Sequence, residues 1–289
     1  MSTPAELQEL LQEQKSRIAR MRFRQEEDEL GEQLLALAQL HGMLEEHAAA
    51  AQTYAEALPF LRKQKQHSEQ GEALLGQGVA TLHQGNTREA LLLISDAVAA
   101  YREGKDELGE AGCHAAAAEV CRSLGDDEAA RAGFEQALEL FRKVHAHGRE
   151  ARVLVDLGDL AMAAANYAQA LERFEEALPL AQEAKDDALV GQCAMLLGES
   201  AGLMGDHATA RTALELALPH YARVGPEALE ARAAWDLGLS LYYLGALPES
   251  EASLQQAKAA YAAAGHADEV TRTEQALANV RAKAASARS

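Results

Sequence analysis

The sequence predicts an all-α protein: a right-handed α-solenoid of six helix pairs with a capping helix at each end. Three observations predict it. Forty-residue spacing brings the same residue types back six times, without a gap, from Gly31 to Val270. Small residues recur at fixed places in each unit, with one bulky residue at a helical interval from them. The composition is 48% hydrophobic but only 4% aromatic, which suits helices packed closely through alanine and glycine.

The first element is a helix at the N-terminus. Thr3-Pro4-Ala5-Glu6 supplies a cap, a proline in the first turn and a capping-box glutamate. The helix is expected to run to about Arg24. Its Leu11, Ile18 and Met21 fall in phase with the second helix of a unit, so residues 1–30 read as a half-repeat cap. The same helix carries Lys15, Arg17, Arg20, Arg22 and Arg24, followed by Glu26, Glu27, Asp28 and Glu29. These charges form either a docking patch for an acidic partner or a membrane surface, or a solvated face paired along the helix and with the acidic start of the next one.

The units follow as residues 31–70, 71–110, 111–150, 151–190, 191–230 and 231–270. Counting from the first residue of each, position 8 is Ala38, Gly78, Ala118, Gly158, Gly198 and Gly238. Position 20 is Ala50, Ala90, Ala130, Ala170, Ala210 and Ser250, and position 27 is alanine in every unit. Position 24 is Tyr54, Ile94, Phe134, Phe174, Leu214 and Leu254. A small residue at 8 lets a second helix approach, 20 is its seat, and 24 and 27 continue that helix's inner stripe. Gly85, Gly125, Gly205 and Gly245 mark the turn within units, with Asp126 and Asp206 placed as N-caps. Gly104-Lys105-Asp106, Lys185-Asp186-Asp187, Gly225-Pro226 and Gly265-His266 mark turns between units. Pro59, Pro179 and Pro219 sit late in second helices and should bend them. Residues 271–289 read as a capping helix with a disordered basic tail.

The marked positions resemble tetratricopeptide repeats over residues 31–270. The usual unit is about 34 residues; this longer one is similar to the units of Leu-Gly-Asn repeat adaptors, kinesin light chains and bacterial regulators. Leu157-Gly158, Leu197-Gly198 and Leu237-Gly238 carry that likeness. The asparagines that some of these families place on their inner helices are missing: position 6 holds Ala36, Gly76, Ala116, Asp156, Leu196 and Asp236.

Several function classes are excluded or disfavoured. A net charge of −18 repels phosphate backbones and argues against nucleic-acid binding. Residues 271–289 carry +3 and residues 1–30 carry −2, so the acidity lies in the repeats. Cys113, Cys121 and Cys193 are too scattered for a disulfide framework or a zinc site and read as small buried thiols of a reducing compartment. No signal peptide or membrane span is evident, which predicts a cytoplasmic protein without integral membrane association. The alanine-rich, lysine-poor composition points to a GC-rich bacterial source. No phosphate loop, nucleophile elbow or HExxH occurs, and His145 and His147 lack partners at metal spacing, so no enzyme, cofactor or metal is expected.

The resemblance implies a concave groove lined by first-helix positions 2, 5, 9, 12 and 13. In the middle units these place Glu119, Arg122, Arg152, Asp159 and Glu199 on the groove, with Asp156 beside them. The sixth unit places Arg232, Trp235, Leu239, Tyr242 and Tyr243 there, with Met195 and Leu203 adjacent. Trp235, the only tryptophan, stands one step from the family's bulky position 4, which is Ala234, and is expected to face the groove. Such a cluster has the composition of a binding hot spot. The expected function is a non-enzymatic adaptor holding a peptide or helix with apolar and basic residues. The alternatives are a peptide- or ligand-responsive regulator and a self-assembling scaffold, the latter as a homodimer through the N-terminal helix.

Overall fold

A computed structural model describes residues 3–224 and 227–287. The turn expected at Gly225-Pro226 and the last two residues of the basic tail, 288–289, lie outside the described residues. Every regular element among the described residues is an α-helix, fourteen in all. The chain divides into two compact units, Met1–Val144 and His145–Ser289.

The first unit holds α1 (Pro4–Arg24), α2 (Leu30–Met43), α3 (His47–Lys63), α4 (His67–His83), α5 (Thr87–Gly104), α6 (Glu107–Ser123) and α7 (Asp127–Lys143). The second holds α8 (His147–Ala163), α9 (Tyr167–Glu183), α10 (Asp187–Leu203), α11 (His207–Val224), α12 (Glu227–Leu244), α13 (Leu247–Ala263) and α14 (Ala267–Ser286). Three-residue turns join most neighbours into helix hairpins.

The repeated residues interlock. A Cβ added at Gly158 would overlap the Phe174 ring, and at Gly198 and Gly238 it would lie 2.6 Å from Leu214 and Leu254. Position 8 is thus small because the bulky residue at 24 of the same pair occupies the space where its side chain would be. Where position 8 is Ala118, the facing helix supplies the missing room with Gly133, whose added Cβ would meet that of Ala118 at 2.9 Å. All six alanines at position 27 are fully buried. Ser250, at position 20, is also fully buried, and its hydroxyl donates to the Gly238 carbonyl at 2.7 Å. That bond satisfies the one hydroxyl placed among the position-20 alanines.

Turn chemistry sets the hairpins. Gly85, Gly125, Gly205 and Gly245 all take positive φ, between 78° and 85°. Glu45 and Ala165 hold the equivalent turns with φ of 59° and 55°, a conformation that strains a side chain. Asp106, Asp126 and Asp186 cap the next helices by accepting from the amides of Gly109, Ala129 and Leu189. Thr3 and Glu6 complete a capping box at α1. Helices α3, α9 and α11 continue through Pro59, Pro179 and Pro219.

Within each compact unit, the two helices of a hairpin are tied at their open end by ion pairs at a separation of 36 residues, as in Lys63–Glu27 and Lys143–Glu107. The same step in the chain joins Glu103 to His67, Glu183 to His147 and Arg223 to Asp187. Sign alternates along the ladder, so the basic partner comes from the second helix of the pair in Lys63, Lys143 and Arg223 and from the first helix in His67 and His147. At the N-terminus, Leu11, Ile18 and Met21 of α1 are buried, and Arg22 pairs with Glu56. At the C-terminus the expected disordered tail is instead helix as far as Ser286. Arg281 pairs with Glu251 at 2.8 Å and Lys283 donates to the Tyr242 carbonyl at 3.0 Å, which holds this segment on the array. No described helix is long and apolar enough to cross a membrane.

Candidate functional site

Helices α10 and α12, the first helices of consecutive pairs, lie side by side in the second unit and leave a cavity of about 220 Å³ between them. Glu199, Leu203, His207, Asp236, Leu239 and Tyr243 line it, and Gly202 leaves its floor without a side chain. The residues arrive there by helical periodicity. Asp236, Leu239 and Tyr243 follow one another at three- and four-residue steps along α12, as Glu199 and Leu203 do along α10.

Charge concentrates at one end of this cavity. One nitrogen of the Arg232 guanidinium, Nη2, donates to both oxygens of Glu199 at 2.7 Å, a charge-assisted contact. Its Nε also stands 4.0 Å from Asp236 Oδ2. That oxygen is buried and has no hydrogen-bond partner. Burial, reinforced by the Glu199 carboxylate and only partly opposed by Arg232, pushes the Asp236 carboxyl up to about 7. At the other end the Tyr243 ring stacks on His207 at 4.4 Å, with 9° between planes. His207 Nδ1 is a second buried atom without a hydrogen-bond partner. The first unit repeats this stack at the same separation in sequence, between His47 and His83.

Of the residues expected to line a groove, Arg232, Leu239, Tyr243, Leu203 and Glu199 come together here. Leu203 and Tyr243 are 53% and 63% exposed. Met195 does not belong with them: it is only 5% exposed and packs in the core with Leu214, Tyr221 and Leu237. Trp235 also departs from expectation. It is half-buried and packs against Leu277 and Val280 of α14 and against Ala231 and Tyr261. Both residues hold position 5, whose side chain enters the seam with the following hairpin rather than the open face. The apolar stripe of a first helix is wide enough to include positions 4 and 5 together. Tyr242 is drawn to the same side, where the Lys283 ammonium sits 4.0 Å from its ring centre.

The remaining charged residues lie outside the cavity. Arg152 reaches Asp186 at 3.5 Å. Asp156 and Asp159 are half-buried on α8. In the first unit, Arg122 and Glu119 pair with each other at 2.7 Å. The cysteines are protected thiols: burial pushes Cys113 and Cys193 up to about 12. Sequence reasoning missed His207 and gave Asp236 no role. The available signal was a carboxylate at position 6, where four of the six units carry alanine, glycine or leucine.

Helix hairpins in tandem, keyed by a small residue at 8 against a bulky one at 24, define a helical-repeat protein of the α-solenoid class. Residues 111–183 match the family described as tetratricopeptide repeat, and residues 18–75 and 60–122 match that described as anaphase-promoting complex subunit 5. The tetratricopeptide-repeat match itself spans residues 111–183, and the hairpins on either side of it have the same helix-pair architecture. Among solved structures it is similar to the apo form of RapI, with TM-score 0.68 and 15% identity, covering 97% of this chain and 86% of that one. BtubC from P. vanneervenii is similar at TM-score 0.65 and 21% identity, covering 77% of this chain and 92% of that one. A Rap protein complexed with competence and sporulation factor is similar at TM-score 0.56 and 17% identity, covering 99% and 89%. No curated protein sequence matches the chain. The fold is that of protein-interaction adaptors and scaffolds.

Proposed function

We propose that the chain is a non-enzymatic adaptor that holds a peptide or helix of a partner protein against the open side of α10 and α12. One observation carries this reading: a cavity whose lining exposes Leu203 and Tyr243 beside a charged cluster. Apolar anchors flanked by polar groups are the usual anatomy of a binding hot spot. Met204 and Leu244, which follow Leu203 and Tyr243 in the chain, are also exposed. A repeat fold of this kind is typically non-catalytic.

Selection of displayed random peptides on the whole chain tests the reading. Selected peptides should lose at least about tenfold in affinity, or about 1.4 kcal/mol, on Tyr243→Ala and on Leu203→Glu. Both side chains are mostly exposed, so melting should hardly move. Peptides that bind both variants as tightly as the wild type would overturn the assignment of this face.

A further inference from the structure

We infer that the cavity between α10 and α12 is a subsite for one basic side chain, a lysine or an arginine, of the bound segment. The inference rests on the adaptor reading above and names the chemistry of its anchor. Two carboxylates, Glu199 and Asp236, face one guanidinium, that of Arg232. Arg232 turns its Nη2 to Glu199, and its Nε stands 4.0 Å from Asp236 Oδ2, beyond hydrogen-bond distance, so that oxygen is buried without a hydrogen-bond partner. A buried carboxylate in that state is costly, and a cation is what offsets it. An anionic ligand would add a third negative charge to the two already there.

The rest of the cavity fits the remainder of such a side chain. Leu203, Leu239 and the Tyr243 ring offer apolar wall to an aliphatic stem. His207 Nδ1, at the far end, can accept a hydrogen bond when the imidazole is neutral. Ammonium and guanidinium groups donate only, and the unmatched atoms in the cavity are acceptors or can be. A volume of about 220 Å³ suits a single long side chain rather than a whole helix.

Proton linkage gives the subsite a signature. The groups facing Asp236 are Glu199 from α10, Arg232 from its own helix, His207 across the cavity and Tyr261 from α13. Glu199 and burial favour the protonated carboxyl, and Arg232 opposes it. A bound cation displaces that proton, so affinity should rise as pH goes from 6 to 8.

Butylammonium and butylguanidinium chlorides are the probes, with 1-pentanol as a neutral control, followed by methyl NMR of the full chain. The expected result is a saturable shift of the Leu203 and Leu239 methyls with both cations and not with the alcohol. Affinity should increase from pH 6 to pH 8 and fall at least about tenfold in Asp236→Asn. Unchanged methyl signals elsewhere in Asp236→Asn would show that its fold is intact. Absence of a saturable cation shift, or an equal shift with pentanol, overturns the subsite. Selected peptides that bind this face without a lysine or arginine would leave the adaptor reading standing while the subsite falls. Cations that bind where no selected peptide competes would uphold the subsite and sink the adaptor reading.

Discussion

Asp236 should make the second unit less stable as pH rises, and replacing it with asparagine should remove that loss. Its carboxyl is raised from an ordinary 3.8 to about 7. The side chain is only 24% exposed, so solvent screens the effect weakly. Below about pH 4 both folded and unfolded chains hold the proton, and the full stability is present. Between the two values the unfolded chain has released the proton and the folded chain keeps it, so stability falls with rising pH. The interval is about three pH units at about 1.4 kcal/mol each, or about 4 kcal/mol lost by pH 8. An asparagine side chain would keep the shape and carry no proton to lose, so Asp236→Asn should match the wild type near pH 4. At pH 8 it should be more stable by up to about 4 kcal/mol. Trp235, the only tryptophan, lies next to the site on α12 and reports unfolding of this unit by fluorescence in urea. A wild-type-to-variant difference that is the same at pH 5 and pH 8 would refute the reasoning.

Two further outcomes follow from packing. Trp235→Ala should destabilise the C-terminal hairpin and α14 by about 2 kcal/mol, the low end for large-to-small changes because the ring is half-buried; urea unfolding checks it, and an unchanged midpoint would return the ring to the open face. Gly158→Ala should cost about 1–3 kcal/mol, because the new methyl would overlap the buried Phe174 ring, and Phe174→Leu in the same chain should recover part of that loss.

The hairpin fold was legible because each hairpin states its own packing rule. Gly158 with Phe174, Gly198 with Leu214 and Gly238 with Leu254 are short-range pairs within one 40-residue stretch. Turn glycines and aspartate caps are likewise local, set by neighbours three or four residues away. The candidate site was legible only in part. Arg232, Glu199, Leu203, Leu239 and Tyr243 were readable as a group because first-helix positions recur in phase. Met195 and Trp235 were misplaced because periodicity does not say where the apolar stripe ends and the open face begins. That boundary depends on the element that follows, a hairpin for Met195 and the single helix α14 for Trp235, which covers position 5. His207 escaped notice because it begins a second helix, away from the positions counted as groove.

By itself the sequence determined an all-α repeat array, its 40-residue period, the small-to-bulky key within each pair, and an acidity that disfavours nucleic acid. These depend on residue type and short spacing, which helical geometry converts directly into contacts. Tertiary structure alone decided that Arg232 would satisfy Glu199 and leave Asp236 Oδ2 unmatched. It also decided that α14 would bury the Trp235 side of the last hairpin and leave Tyr243 on His207 at a cavity rim. The physical reason is that charge balance and burial are set by which helices meet. Glu199 and Asp236 share no short-range pattern, and they become one electrostatic site only when α10 lies beside α12.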